Sequence, residues 1–422
     1  MRVLAGAVAV VAACGGTTGV SLDAPGPADA MPDAPLATIP ADTVPCEAMA
    51  YWPDAIRSTA HPILVHYRAA DEEAAAREVL ADLDRAWDVE VGTLGFRPPV
   101  DDTGACGPDG ALDVFLWRGH EECYVDVLGE DAATPYDDRQ AFLVIDPWGP
   151  YGGAHLDTTT AHELDHVFQA ADDWSDAPIV YEMTSVFIED LVFPDDNQYV
   201  DQIADFQAHP DWSFDRDDGY ETWYMYGAAQ YLRFVRDRYF GGDAAFVGAM
   251  WRGMRSPADS GEPDFEDALD ALLVARGSSF RDSMIAFARW RLYTGAHADA
   301  AHDAEGASFA EPARAAAVRT TGAEVAIAPM ALGSAYIDVT AQSGDPTAVD
   351  VSLAHAASGV QWIVQVVPGH AGDGDTLDLS HGPVHVAIAG TQTIAVTALP
   401  TGAIDPEDRD DTTYAASVVI AP

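Results

Sequence analysis

The sequence predicts an α+β domain followed by a C-terminal all-β, sandwich-like domain, and three observations carry that reading. Strand-like runs come first and are followed by a long series of helical periodicities that lasts to about residue 318. From Arg319 onward the helical spacing stops, and seven short β-rich runs separated by Gly, Pro, Asp and Ser fill the remaining stretch. The chain has 422 residues with 48% apolar content, enough for two domains with real cores. The expected division is 1–13 leader, 14–45 flexible tether, 46–318 α+β domain and 319–422 β-sandwich domain.

Arg2 precedes an apolar run from Val3 to Ala13, the length of a signal-peptide core and too short to span a bilayer. It ends in Val11-Ala12-Ala13-Cys14, which resembles the lipobox of bacterial lipoprotein signals and implies a lipid on the Cys14 thiol. The other reading is a plain secretory signal with a chance cysteine; both predict export, and the first predicts a cell-envelope lipoprotein. From Gly15 to about Pro45 the chain is rich in Pro, Ala, Asp, Thr and Gly without hydrophobic periodicity, which predicts a tether. No later run reaches 18 apolar residues, so membrane contact is expected only through a lipid on Cys14. Of the remaining cysteines, Cys106 and Cys123 bracket a predicted strand and form the preferred pair. Cys46 is then unpaired, or pairs with either of them.

In chain order, Ile63–Tyr67 is strand-like, and about Asp71 to Val91 is helical, with Val79, Leu80, Leu83 and Trp87 on one stripe. Strands follow at Leu112–Trp117, Tyr124–Leu128 and Ala141–Ile145. After a Gly/Pro-rich loop, helices are expected at Asp157–Ala171, Pro178–Leu191, Glu221–Tyr239, Asp243–Met254, Phe265–Ala275 and Phe280–Tyr293. The β-rich runs are Glu324–Ala328, Ala335–Thr340, Ala348–Leu353, Gln361–Val367, Val384–Ala389, Thr393–Thr397 and Ala416–Ile420. Acidic clusters at Asp215–Gly219 and Asp373–Asp375 lack the spacing of a calcium loop and read as solvated turns. The 21 basic residues, all arginine, face 69 acidic ones, a net charge of −48. Such a surface repels phosphate and excludes nucleic-acid binding. No partner protein is inferable.

The chemistry lies in His162-Glu163-Leu164-Asp165-His166, a match to H-E-x-x-H. On a helix, residues four apart stand one above the other, so His162 and His166 point the same way and can share one Zn²⁺. Glu163 is rotated by one residue, which leaves its carboxylate free to act as general base on a water activated by that ion. Asp157 and the threonines after it offer N-caps. A third ligand is required, and Glu182 on the next predicted helix is preferred; Glu182, Ser185 and Glu189 share one face, as on a solvated amphipathic helix too. The rival is Asp172, ten residues after His162. It is disfavoured because Gln169 stands where a helix-breaking glycine would be needed.

These residues resemble the zincin metallopeptidases, within them the glutamate-ligand (gluzincin) branch. More narrowly, they resemble metallopeptidase-like bacterial lipoproteins with an H-E-x-x-H-x-x-Q helix and an E-x-x-A/S-x-x-x-E-D helix. Here those are His162, Glu163, His166 and Gln169, then Glu182, Ser185, Glu189 and Asp190. The resemblance covers about residues 60–240 and implies a zincin-like catalytic domain, Zn²⁺ held by His162, His166 and Glu182, and Glu163 as catalytic base. It supplies no substrate, and the leading expectation from the zinc-water chemistry is a peptide or protein substrate. An oxyanion donor is also needed, for which Tyr224 and Tyr226 are candidates. Ser185 or Glu189 is a candidate for orienting a ligating imidazole, and Ala141–Ile145 for an edge strand that pairs with a peptide. Two other functions stay open: a non-catalytic surface binding protein on the same scaffold, and a metal hydrolase acting on another amide or ester.

Overall fold

The structure is a computed structural model describing residues 10–11, 38–150, 153–214, 216, 220–257, 260–368, 376–379, 382–402 and 412–422. Cys14 and most of the leader and tether lie outside the described residues, as does nearly all of both acidic clusters. The fold is α+β, as expected. It divides into two compact units: Met1–Trp174 with Leu191–Asp196, and Ser175–Asp190 with Asn197–Pro422.

The first unit is built on a six-stranded sheet. In chain order its strands are β1 (Val10–Val11), β2 (Asp54–Arg57), β3 (Ile63–Tyr67), β4 (Leu112–Leu116), β5 (Tyr124–Glu130) and β6 (Arg139–Ile145). Across the sheet the order is β1-β5-β6-β4-β3-β2. Strands β3, β4 and β6 are parallel, while β5 and β2 run antiparallel to their neighbours. Helix α1 (Glu73–Val89) makes the crossover from β3 to β4, and α2 (Leu156–Asp172) follows β6. Both helices pack together, α1 against β3 and α2 against β6. Trp52, Phe115, Trp117, Phe142 and Val144 form a second apolar cluster in this unit. All five β4 residues are buried, the signature of a parallel strand covered on two sides.

Three expectations change here. Strand β6 is internal, flanked by β4 and β5, so Ala141–Ile145 offers no free edge; outward-lying β5 pairs on its far side only with Val10–Val11 among the described residues. The disulfide joins Cys46 to Cys106, and Cys123 is a free, buried thiol. Cys106 precedes the start of β4, whereas Cys123 precedes β5, whose first residue pairs with Val144 near the far end of β6. The two cysteines therefore flank opposite ends of the sheet, with β6 between their strands. Order also begins before the expected end of the tether, because Ile39 is buried in the cluster with Trp52 and Cys106.

The second unit holds α3 (Pro178–Val192) up to Asp190, then α4 (Tyr199–Ala208), α5 (Tyr224–Gly227), α6 (Ala229–Tyr239), α7 (Phe246–Met254), α8 (Phe265–Val274) and α9 (Phe280–Trp290). The single helix expected over Glu221–Tyr239 is two. Gly227 closes the short α5, where an added Cβ would stand 2.4 Å from the Gln202 carbonyl oxygen of α4. Asp190 of α3 is tied to α6 by Arg233, which also donates to Asp303 at 2.7 and 3.0 Å and to Glu305 at 2.6 Å. Arg233 is 3% exposed.

The same unit carries the sandwich. Strands β7 (Ala316–Arg319), β8 (Ala323–Ile327), β9 (Ser334–Thr340), β10 (Ala348–Ala354), β11 (Val360–Pro368), β12 (Thr376–Asp378), β13 (Val384–Ala387), β14 (Thr391–Pro400) and β15 (Ala416–Ala421) form two sheets. Their orders are β13-β10-β15-β8 and β12-β11-β14-β9-β7. Val349, Val351, Val418 and Ile420 of one meet Ile337, Val339, Val364, Ile394 and Val396 of the other in one core. All seven expected runs are strands; β7 and β12 are additional.

Two predictions follow from these anchors. Because the Cys46–Cys106 bridge spans 60 residues, a Cys46→Ser/Cys106→Ser variant should lose about 2–5 kcal/mol of stability relative to the oxidised wild type, read by denaturant unfolding, and wild type in reductant should fall to the same level. Arg233→Met leaves three carboxylates facing each other without their cation, so it should lose about 3–5 kcal/mol, whereas Arg236→Met should lose under about 1 kcal/mol.

Candidate metal centre

Helix α2 is an amphipathic helix gone inward. Residues 160–172 are all buried, including His162, Glu163, Asp165, His166, Gln169 and Asp172. Its start differs from expectation. His155 is the N-cap residue and makes no side-chain cap, while Asp157 lies inside the first turn and its carboxylate accepts the Thr158 amide at 2.9 Å. At the other end, Arg97 donates to the Ala171 carbonyl and lies 3.6 Å from Asp172 and 3.4 Å from Asp138. Asp172 is thus held at the helix end beside a cation, and the helix runs unbroken through Gln169 as its side chain predicts.

The two histidine rings stand edge to face, centroids 4.8 Å apart at 88°. His166 Nδ1 is 2.7 Å from Gln169 Oε1, an acceptor, so Nδ1 carries the proton and Nε2 is the nitrogen with a lone pair to offer. The Gln169 amide donates in turn to Asp165 Oδ2 at 2.5 Å. Asp165 faces Glu90, which opens the π-helical turn Glu90–Leu94 after α1. Burial, then the Asp165 charge and a hydrogen bond to it, hold the Glu90 carboxyl well above the usual carboxylate range. The result is a chain Glu90–Asp165–Gln169–His166 that orients one imidazole. Its signal in the sequence is Gln169, three residues beyond His166, whereas Glu90 is separated from its partner by two strands' length of chain and more.

His162 and His166 of the first unit and Glu182 of the second are side chains that could together hold a metal ion. All three residues are buried, Glu182 completely. Two imidazole nitrogens and a carboxylate oxygen are the donor set of a tetrahedral zinc site with one position left for water or substrate. Zinc fits these residues. The face of α3 that carries Glu182, Ser185 and Glu189 is not solvated, since each is at most 5% exposed. Glu163 is 2% exposed. Beside it stands the Cys123 thiol, whose pKa is raised by burial first and by the Glu163 charge next, so that it stays neutral.

Of the two tyrosines, Tyr224 donates its hydroxyl to the Ser213 carbonyl at 2.8 Å and is spoken for structurally. Tyr226 is buried in α5 with its ring edge-on to Trp223 at 5.0 Å. No helix among the described residues is long and apolar enough to cross a membrane.

No protein-family model matches the chain, and no curated protein does. Among solved structures the chain is similar to PliG of Aeromonas hydrophila, a periplasmic lysozyme inhibitor of g-type lysozyme. The identity is 14%, over 26% of this chain and 98% of that one, with a TM-score of 0.19. A likeness that slight carries no argument.

Gln169 gives the site its test. Gln169→Leu removes the acceptor for His166 Nδ1 and should weaken Zn²⁺ binding about 10–100-fold in competition with a chromophoric chelator. Gln169→Glu, which keeps an acceptor, should lose less, and both should retain the wild-type circular dichroism spectrum.

Proposed function

We propose that the chain is a zinc-dependent peptidase of zincin type, exported and anchored through a lipid on Cys14. The observation that carries this reading is the convergence of His162, His166 and Glu182, with the Glu163 carboxylate on the same helical turn. Zinc, when bound, would be held by those three side chains and would supply Lewis acidity to polarise the scissile carbonyl and acidify water. Glu163 takes the proton of the attacking water and delivers it to the leaving amine. Gln169 keeps His166 in the tautomer that presents Nε2, and Asp165 and Glu90 hold Gln169. Tyr226 is the proposed donor to the developing oxyanion. An extended substrate adds beside β5, the antiparallel strand that lies outside β6. The Cys46–Cys106 disulfide supports an oxidising compartment outside the cytoplasm.

Metal analysis of the purified chain should give about one zinc, lost in His162→Ala and in Glu182→Ala and kept in Asp172→Ala. Glu163→Gln should keep the zinc and lower cleavage of a quenched-fluorescent peptide library by at least about 100-fold. A Glu163→Gln protein with full activity refutes the base. Zinc-bound wild type that cleaves esters or acylated amines but no peptide moves the reading to another hydrolase.

A further inference from the structure

A second group of buried ligand atoms lies in the first unit, formed by residues outside the histidine site. Asp102, Cys106 and Asp113 each offer an atom within 4.8 Å of the others, and all three residues are buried. Cys106 is oxidised to Cys46, which takes its sulfur out of consideration and leaves an oxygen-only pair. Asp102 is 2% exposed, yet neither of its carboxylate oxygens has a hydrogen-bond partner. Asp113, also 2% exposed, has one oxygen taken by His66 Nε2 at 2.5 Å. Its other oxygen faces the backbone of Gly107, 3.2 Å from where a Cβ would stand. Gly107 has φ +96°, so a side chain there is disfavoured twice, by conformation and by crowding against that oxygen.

Two carboxylates buried this closely cannot both stay charged alone. Burial and the Asp113 charge push the Asp102 carboxyl up to about 8. Arg57, whose charge acts on Asp113, spends its guanidinium on a pair with exposed Asp109 at 2.6 Å. We propose that Asp102 and Asp113 form a binding site for a hard divalent cation of the calcium class, separate from the histidine centre. The oxygen-only donor set rules against a soft metal, and a cation of this class would complete its flexible oxygen shell with further oxygen ligands such as water. The disulfide at Cys106 pins this loop to the segment before β2, so the cation and the bridge brace the same turn. The proposal stands whether or not the peptidase reading does.

The test uses the full chain with its histidine site first saturated with Zn²⁺, in about 0.15 M salt to screen the acidic surface. Calcium and magnesium are then titrated by calorimetry, and thermal unfolding is followed with and without saturating Ca²⁺. Wild type should take up about one Ca²⁺, and its unfolding midpoint should rise by roughly 5–10 °C at 100 times the dissociation constant. Asp102→Asn and Asp113→Asn should each abolish both effects while keeping zinc content. The proposal is overturned if wild type takes up neither cation, or if Asp102→Asn retains the full response. It is equally overturned if Asp102→Asn stabilises the calcium-free protein and Ca²⁺ has no effect on wild type, the result of a shared proton in place of a metal. Should either variant fail to fold, Tb³⁺ replaces calcium on wild type. Emission sensitised from Trp52, in the same apolar cluster as Cys106, and displaced by Ca²⁺ supports the site; absence of displaceable emission overturns it.

Discussion

Keeping a strongly polar helix out of water is the constraint that organises the candidate site. Helix α2 buries two histidines, a glutamate, two aspartates and a glutamine within eleven residues. Each such group left without a partner costs about 1–3 kcal/mol, and more if charged. The helix meets part of this requirement by its own spacing. Asp165 and Gln169 are four apart, His166 and Gln169 three apart, so one amide serves both neighbours. Further partners come from the π-helical turn after α1 through Glu90 and from Arg97 at the helix end. An imidazole held by a packed amide that is itself held has little freedom to turn, and that rigidity is what a metal ligand requires.

The same constraint runs through the whole chain because of its charge. With 69 acidic residues and 21 arginines, most carboxylates have no cation to meet. On the surface water solves this; in the interior the chain uses a few distinct arrangements. Arg233 gathers Asp190, Asp303 and Glu305, and Arg97 stands between Asp138 and Asp172. Glu90 and Asp165 meet without a cation, and burial holds the proton on Glu90. Arginine suits the first role because its planar fork can serve several carboxylates at once. The absence of lysine therefore costs the interior little.

How much of this could be read from the sequence depends on how local the cause is. His162, Glu163 and His166 were legible because a single helical turn sets their relation, and the strands of the sandwich because alternation is a property of five or six consecutive residues. What the pattern could not supply was neighbour order. Nothing local says that β6 lies inside the sheet, or that Cys46 reaches Cys106 across sixty residues. Helix α4 escaped notice because Asp201, Gln202, Asp205 and Gln207 interrupt its apolar stripe, although Gln202 and Gln207 are buried. The α3 face could be read two ways from its pattern, as a ligand-bearing face or as a solvated one; Glu182, Ser185 and Glu189 are buried, which removes the second reading.

Gln169 also bears on the choice of third ligand in the proposed zinc site. At 100° and 1.5 Å per residue, Asp172 lies about 9 Å beyond His166 along the helix axis and about 100° around from the face the histidines share. Only a break in the helix can bring it back, and glutamine gives none; instead it spends its side chain on fixing His166. In the proposed zinc site the carboxylate ligand therefore comes from a separate segment, and Glu182 on α3 is buried, as such a ligand needs to be. This explains why α3 carries acidic residues where an ordinary core helix has leucine. It also explains why Asp190, eight residues after Glu182 on the same helix, is tied down by Arg233: a helix that presents a charged ligand in an apolar interior needs its position set by more than hydrophobic contact.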